Sequence, residues 1–261
     1  MRIEILTHDD AHYTLPFFEE FFQHYAAEFE IVHVSVCRAM GNRKRAELLR
    51  ALFSLYGPIG FARLAGSVAR ARVLASRPKT RQASRFYSLA QLCRAFGVTS
   101  EPIGNPNGAE VLRGMRARRC DLIVSVACPY LIKPELLALP PLGCVNIHHA
   151  PLPRYRGMMP TFWQMYHNEK RVGVTVHYMG EKFDDGGILL QDELAIEPGE
   201  GLDALIRRSK CHGAHCMARV LRQIAAGTQT TVAPADTRPS YFTFPTLEEI
   251  REFRRRGYRA I

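Results

Sequence analysis

"RIEILTHDDAHYTLPFFEEFFQHYAAEFEIVHVSV", residues 2–36, changes its hydrophobic period twice. Arg2–Thr7 is a short apolar run typical of a strand, Leu15–Phe29 repeats apolar side chains at helical spacing, and Glu30–Val36 alternates like a second strand. A strand, a helix and a strand at this spacing predict a βαβ unit, the building block of an α/β sheet. The stretch therefore predicts parallel strands with helices packed on their faces.

The same alternation returns after residue 87. The predicted strands are "CDLIVSVA", "CVNIH", "RVGVTVHYM" and "ILLQDELAI". The predicted helices are "SLAQLCRAFG", "NPNGAEVLRGMRARR" with Asn107 as its N-cap, "PELLAL", "PTFWQMYHN" and "GLDALIRRSKCHGAHCMARVLRQIAAG". We therefore expect a Rossmann-like, mostly parallel sheet with flanking helices. A main domain should cover residues 1–228, and residues 229–261 should form a short C-terminal extension.

A basic segment interrupts this pattern between about residues 38 and 95. Arg38–Arg94 contains thirteen lysines and arginines and one acid, Glu47, and we interpret it as a basic helical insertion. It is either a solvated surface or a basic wall beside the site. The net charge of the whole chain is +10, which predicts an anionic partner such as a phosphorylated metabolite, a polyglutamylated cofactor or a nucleic acid.

The remaining bulk features are ordinary. No apolar run reaches the length of a membrane-spanning helix, and "MRIEILTHDD" lacks the features of a signal peptide, so we expect a cytoplasmic protein. The seven cysteines are odd in number and scattered, which favours free thiols. "CHGAHC" gathers Cys211, His212, His215 and Cys216 in the predicted long helix. Its spacing matches no common zinc pattern, and we expect no metal.

Polar side chains capable of group transfer follow two of the predicted strands. Asn146-x-His148 ends the strand "CVNIH", and Asp184 and Asp185 enter a Gly-Gly turn in "FDDGGILLQ". Open α/β sheets place their active sites at such strand ends. An asparagine can donate to a developing oxyanion, a histidine can move a proton, and an aspartate can orient that histidine. His149 should face away from His148 and take no part.

Here the sequence resembles the 10-formyltetrahydrofolate-dependent formyltransferases. The resemblance rests on "CVNIHHAPLPRYRG" followed by "GVTVHYMGEKFDDGGILLQ", which contain the family's Asn-x-His, its Leu-Pro-x-x-x-Gly loop, its strand histidine and its Asp-x-Gly turn. The resemblance implies that Asn146, His148 and Asp184 are catalytic. Asp184 is preferred to Asp185 because only Asp184 keeps the Asp-x-Gly-x-Ile-Leu frame. His177 matches the strand histidine and is expected near the site.

The resemblance also implies the ligands. The co-substrate would be 10-formyltetrahydrofolate, with no metal. The loop "ACPYLIKPELL" matches the family's pterin-binding loop, so the expected folate contacts are Pro129, Tyr130, Leu131, Ile132 and Asp184. The serine that follows the catalytic histidine in the family is replaced by Ala150, which puts that serine's contacts in doubt. The "THDDAHYT" loop lacks the glycine-rich phosphate loop of the purine-pathway members and argues against glycinamide ribonucleotide as the acceptor.

The acceptor should be a small-molecule primary amine that carries phosphate, and a nucleotide-linked amino sugar is our first choice. We expect Arg154, Tyr155, Arg156 and His177 to contact it, because arginine binds phosphate in a bidentate manner. Two alternatives stay open: an enzyme like the methionyl-tRNA formyltransferases, and a catalytically inactive member that binds folate or nucleic acid. "SYFTFPT", residues 240–246, looks like an exposed edge strand and predicts a homodimer.

Overall fold

The computed structural model describes residues 1–38 and 45–261 of the chain. Its strands are β1 (Arg2–His8), β2 (Glu30–Cys37), β3 (Ser100–Ile103), β4 (Leu122–Val126), β5 (Cys144–His148), β6 (Arg156–Gly157), β7 (Arg171–Tyr178), β8 (Ile188–Ala195) and β9 (Tyr241–Phe242). Its helices are α1 (Leu15–His24), α2 (Arg45–Ala75), α3 (Leu89–Phe96), α4 (Ala109–Arg118), α5 (Pro134–Leu137), α6 (Pro160–Tyr166), α7 (Leu202–Ala225) and α8 (Leu247–Arg255).

Seven of these strands form one sheet in the order β3-β2-β1-β4-β5-β7-β8. The first five are parallel to one another. Strand β7 pairs antiparallel with β5, and β8 pairs antiparallel with β7. The predicted α/β fold with a mostly parallel sheet is therefore confirmed. The direction of winding reverses between β1 and β4, and a crevice opens beyond the carboxyl ends of strands at such a reversal.

Helices cover both faces of the sheet. Alternate strand residues such as Ile5 and Val124 pack with α1, α3 and α7, whereas Leu6 and Ile123 pack with α4 and α5. On α1 the four phenylalanines are almost fully buried, and they are Phe17, Phe18, Phe21 and Phe22. Burial of a large apolar side chain contributes roughly 1.5–3 kcal/mol, so this helix is held firmly to the sheet.

One strand was missed and two local predictions were wrong. Strand β3 was not predicted, because its sequence "SEPI" contains a proline, which only an edge strand tolerates. Helix α1 ends at His24 instead of Phe29. Asn107 does not cap α4, whose N-cap is Gly108. Its side-chain amide instead donates to the Leu131 carbonyl at 2.9 Å and accepts from the Lys133 N–H at 2.8 Å.

The basic segment contains a broken helix, α2, and a helix that belongs to the sheet fold, α3. Within α2, Gly57 has a φ of +67° and precedes Pro58, so the helix is broken into two parts there. By contrast α3, which also falls inside the predicted insertion, is the crossover between the parallel strands β2 and β3. The part of the insertion at residues 39–44 lies outside the described residues.

The C-terminal residues pack against the main domain. Phe253 of α8 is fully buried, and its ring stacks on Phe162 of α6 with centroids 4.6 Å apart. Strand β9 pairs with β6 of the same chain. The edge in "SYFTFPT" that predicted a homodimer is thus already used inside the chain, and that basis for a dimer is lost. Among the described residues no helix has the length and hydrophobicity needed to cross a membrane.

Candidate functional site

A cavity of about 900 Å³ lies at the carboxyl ends of β1, β4 and β5. Its volume is in the range of pockets that enclose small organic ligands. The predicted residues Asn146, His148, Asp184 and His177 all line it. Strand β5 carries Asn146 and His148, strand β7 carries His177, and the loop after β7 carries Asp184. Two strands and one loop therefore bring the sequence-predicted trio and the strand histidine to one place.

The amide of Asn146 is held in a fixed orientation by His177. The two residues face each other across the antiparallel pair β5 and β7, and Asn146 Nδ2 lies 3.2 Å from His177 Nε2. His177 Nδ1 donates to the Tyr178 carbonyl at 2.7 Å, so Nε2 carries the lone pair that accepts from Asn146. Burial lowers the pKa of His177 to about 4, despite the opposing effect of Asp184, and the ring is neutral at pH 7. The second N–H of the Asn146 amide remains for a ligand.

His148 is held by a backbone carbonyl on one side and faces a carboxylate on the other. Its Nε2 lies 2.8 Å from the Tyr155 carbonyl oxygen, to which the ring donates. Its Nδ1 then faces Asp184 Oδ1 at 3.5 Å. In the neutral ring Nδ1 can accept a proton, and the resulting imidazolium would be stabilised by the adjacent carboxylate.

The turn that carries Asp184 is shaped by glycine. A Cβ at Gly186 would lie 1.7 Å from the Tyr178 carbonyl oxygen, so no other residue fits there without rearrangement. This close approach gives the Asp-x-Gly spacing a physical reason. Asp184 has a φ of +52°, and its Oδ2 accepts from the Gly157 N–H at 3.1 Å.

The predicted folate-binding loop also reaches the cavity. All four of its predicted contact residues line the cavity wall, and they are Pro129, Tyr130, Leu131 and Ile132. The Asn107 side chain holds this loop through Leu131 and Lys133, as described above. The loop thus offers an apolar wall with a fixed backbone.

Two of the predicted acceptor contacts are engaged elsewhere. Arg154 forms ion pairs with Glu169 and Asp236, and the Tyr155 hydroxyl donates to Glu169 at 2.7 Å while the tyrosine ring is buried. Carboxylates of the protein already neutralise that arginine, and the contact of Arg154 and Tyr155 with the acceptor stays a prediction.

Arg156 is also engaged by the protein. It donates to the Phe183 carbonyl and lies 3.8 Å from Asp185, so it braces the Asp184 turn. Its contact with the acceptor phosphate stays a prediction beside this positioning role.

Sequence reasoning missed the hydrogen bonds that fix the loop after β5, at residues 149–155. The Thr175 hydroxyl donates to the Ala150 carbonyl at 2.7 Å and accepts from the Leu152 N–H at 3.2 Å. The Gln191 amide donates to the Leu152 carbonyl at 2.8 Å. The Leu152–Pro153 peptide bond in this loop is cis. The threonine of "GVTVH" and the glutamine that ends "GGILLQ" were visible in the motifs, but no partner could be assigned to them.

Lys210 of α7 was also missed. It lines the cavity beside Asp10, and within residues 1–38 and 45–261 its ammonium makes no hydrogen bond or close ion pair. Desolvation lowers the pKa of Lys210 to about 8, partly offset by the Asp10 carboxylate. A desolvated cation without a close partner at a cavity wall is a candidate contact for an anion.

The C-terminal segment supplies part of the cavity wall. Tyr241 and Phe244 line it, and the Tyr241 ring is 59% exposed. Gly157 allows this approach, because a Cβ there would lie 2.2 Å from the Phe242 carbonyl oxygen. An exposed aromatic ring at a cavity mouth is suited to stacking on a planar ligand.

Comparison with known proteins shows the family of the chain. The sequence model of the family described as Formyl transferase matches residues 71–221, which is more than half of the chain. A methionyl-tRNA formyltransferase of Syntrophus aciditrophicus is 41% identical over 121 residues, covering 46% of this chain and 39% of that protein. One from a Synechococcus species is 34% identical over 154 residues, 58% of this chain and 47% of that protein. The match thus spans less than half the length of these relatives.

Solved structures share the fold. A sugar N-formyltransferase from a Shewanella species superposes with a TM-score of 0.57 at 18% identity, covering 97% of this chain and 86% of that one. A glycinamide ribonucleotide transformylase from Symbiobacterium toebii gives a TM-score of 0.59 at 18% identity, covering 87% and 88%. Together with the match over residues 71–221, these findings establish that the chain belongs to the formyl transferase family.

Proposed function

We propose that the protein transfers the formyl group of 10-formyltetrahydrofolate to a primary amine. The observation that carries this proposal is the convergence of Asn146, His148 and Asp184 on one cavity of ligand size. An amide N–H, an imidazole and a carboxylate are the groups that acyl transfer to an amine requires.

Asn146 would stabilise the tetrahedral intermediate. The amine nitrogen bonds to the formyl carbon, and the formyl oxygen becomes an oxyanion. One Asn146 N–H is committed to His177, and the second would donate to that oxyanion. Because His177 is neutral and its acceptor nitrogen is fixed, the amide cannot turn its oxygen toward the negative charge without losing a hydrogen bond.

His148 would move the proton. Its Nδ1 takes the proton from the attacking amine, through a water molecule, and a proton passes to the folate nitrogen as the carbon–nitrogen bond to that nitrogen breaks. The Tyr155 carbonyl holds Nε2–H, so the reacting nitrogen is Nδ1. Asp184, 3.5 Å from Nδ1, would stabilise the imidazolium that forms between the two transfers.

The acceptor we propose is a nucleotide-linked amino sugar. Lys210 would contact its phosphate in place of Arg154 and Arg156, which are engaged by the protein. Tyr241 would stack on its base. Supporting this choice, the residues beyond 228 fold back on the catalytic residues and form a wall of the same cavity.

An enzyme acting on initiator tRNA is the second candidate. The sequence relatives named methionyl-tRNA formyltransferase favour it, and so does the net charge of +10. A catalytically inactive binder is the third, and the retention of the whole trio speaks against it.

Release of tetrahydrofolate tests these candidates together. It would be measured without acceptor, with a panel of nucleotide-linked amino sugars, and with methionyl-initiator tRNA. We expect release with one of the sugars. Asn146→Ala should lower kcat by about a hundredfold or more while leaving the thermal midpoint Tm near that of the wild type.

The contrary outcomes are specific. Release only with tRNA would replace the acceptor but keep the reaction. Release without any acceptor would indicate hydrolysis, and binding of folate without release would favour the inactive binder. Full activity in folded Asn146→Ala would remove Asn146 from the mechanism.

A further inference from the structure

A polar cluster outside the cavity lies where α7 packs against β8. Asp192 of β8 faces His212 and Cys216, which are four residues apart and so share one face of α7. His212 Nε2 lies 3.4 Å from Asp192 Oδ2, and Cys216 Sγ lies 4.0 Å from the same oxygen. The three ligand atoms are within 4.8 Å of one another.

One polar atom of this cluster lacks a hydrogen bond. His212 Nε2 is buried and has no hydrogen-bond partner within the described part of the chain. A buried ring nitrogen without a partner costs free energy, and such groups call for a specific explanation. The Cys216 side chain is 1% exposed and points into the same space. A bound cation would satisfy the nitrogen, the sulfur and the carboxylate together.

We propose that Asp192, His212 and Cys216 bind a zinc ion, with water as the fourth ligand. Sulfur, nitrogen and oxygen together suit zinc, whereas magnesium and calcium select oxygen alone. Tetrahedral bonds of about 2.0–2.3 Å place ligand atoms roughly 3.3–3.7 Å apart, so the observed separations need only small side-chain adjustments. Asp192 and His212 keep about a third of their side-chain surface exposed, which leaves access for the ion and its water.

Zinc binding releases one proton from the Cys216 thiol. Burial raises the pKa of the Cys216 thiol to about 12, so the thiol is protonated without metal. Zinc binds the thiolate, and the thiol proton passes to solvent. His212 binds through its neutral Nε2.

The four cysteines and histidines of "CHGAHC" lie on two different faces of α7. Cys211 contacts the Pro16 carbonyl at 3.8 Å, and His215 lies 3.3 Å from Glu20. Only His212 and Cys216 face Asp192. The neighbouring pair therefore provides a matched control within the same helix, and the expectation of no metal from the sequence spacing is replaced by this proposal.

Arg219 also contacts the carboxylate, and the Glu193 N–H donates to Asp192 Oδ1 at 2.8 Å. Arg219 Nη1 lies 3.4 Å from Asp192 Oδ2, and the arginine side chain is 58% exposed. A zinc ion on Oδ2 would compete with the positive charge of Arg219, so Arg219→Ala should tighten zinc binding. None of the three ligands lines the cavity, and the ion would fasten α7 to the edge strand β8. The proposal is therefore independent of the reaction.

Calorimetric titration of the metal-stripped full chain with zinc tests the proposal. We expect one equivalent to bind and Tm to rise with zinc concentration, and magnesium to do neither. Asp192→Asn and Cys216→Ala should each weaken binding at least about tenfold. The double variant Cys211→Ala, His215→Ala should bind as the wild type does.

Cobalt in place of zinc keeps the test decisive even where a variant fails to fold. Wild-type protein with cobalt should show a thiolate charge-transfer band and the intense visible bands of a tetrahedral ion. Absence of zinc binding, absence of the thiolate band, or persistence of tight binding in Cys216→Ala would overturn the proposal. Loss of binding in the folded control variant would also overturn it, because that result would place the ion on the other pair.

Discussion

Two adjacent aspartates, Asp184 and Asp185, differ sharply in their surroundings. Asp184 is mostly buried beside His148, while 47% of the Asp185 side chain is exposed. Asp184→Asn should lower kcat by roughly 10²–10⁴-fold, because the imidazolium of His148 would lose its charged partner. Asp185→Asn is the matched control and should stay near wild-type activity. Steady-state kinetics on both variants measures kcat. An equal loss of kcat in the two variants would contradict the assignment of Asp184.

Lys210 should show a trade-off between binding and stability. Its pKa is about 8 in the folded chain, against an ordinary value of 10.5. Because the folded pKa is lowered, the cost of the charge is fully present below pH 8 and disappears as pH rises toward 10.5. Lys210→Met should therefore raise Tm at pH 7, with a smaller gain at pH 10. It should also raise the KM for a phosphate-bearing acceptor.

The pH profile supplies the control for that variant. We expect the wild-type KM for the acceptor to rise between pH 7 and 9 as Lys210 loses its charge. Lys210→Arg keeps the charge over the whole range, so its KM should not rise. Unchanged KM in Lys210→Met, in folded protein, would remove the lysine from the acceptor site.

At the residue scale, the sequence predicts the site residues that belong to a motif and misses the residues that only the fold brings to the site. Asn146, His148 and Asp184 stand in ordered, spaced patterns, and the structure brings them together. Lys210 lies in an ordinary amphipathic helix, where nothing local marks it. The ion pairs of Arg154 could not be foreseen for the same reason, since Glu169 and Asp236 lie elsewhere in the chain.

At the scale of elements, hydrophobic period predicted the long strands and helices well. Strands β4 and β5 and helix α7 carry strong patterns and were found where expected. Strands β6 and β9 have two residues each, which is too short for any period to show. Their pairing depends on Gly157 and on a contact between residues about 85 positions apart, which no local pattern contains.

Helix α8 should be essential to the wall formed by the C-terminal segment. Phe253 is fully buried against Phe162, so Phe253→Ala should cost about 3–5 kcal/mol in the free energy of unfolding. Phe53 of α2 is 50% exposed, and Phe53→Ala should cost far less. Urea unfolding of both variants measures the difference. A loss below about 1 kcal/mol for Phe253→Ala would show that α8 is not anchored as described.

At the scale of the whole molecule, the positive charge is unevenly compensated. The described residues from 49 to 94 make no ion pair with a carboxylate within 4.0 Å, whereas the arginines elsewhere frequently do. Lys79, Arg70 and Arg85 gather around the Tyr87 ring, at 4.6, 5.9 and 5.6 Å from its centroid. Composition predicted the charge but not whether acids on other elements would neutralise it.

Salt dependence should separate the two acceptor classes. A nucleotide-linked sugar presents two phosphates to the cavity, so its KM should rise only slightly between 50 and 200 mM salt. A tRNA that contacts the basic side chains of residues 49–94 through six to ten phosphates would lose roughly 10³–10⁵ in affinity over that range. We expect the shallow dependence, and we expect Arg63→Ala with Arg70→Ala to leave KM unchanged, because both side chains are exposed and neither lines the cavity. A steep slope that this double variant reduces would assign the basic surface to RNA and overturn the sugar as acceptor.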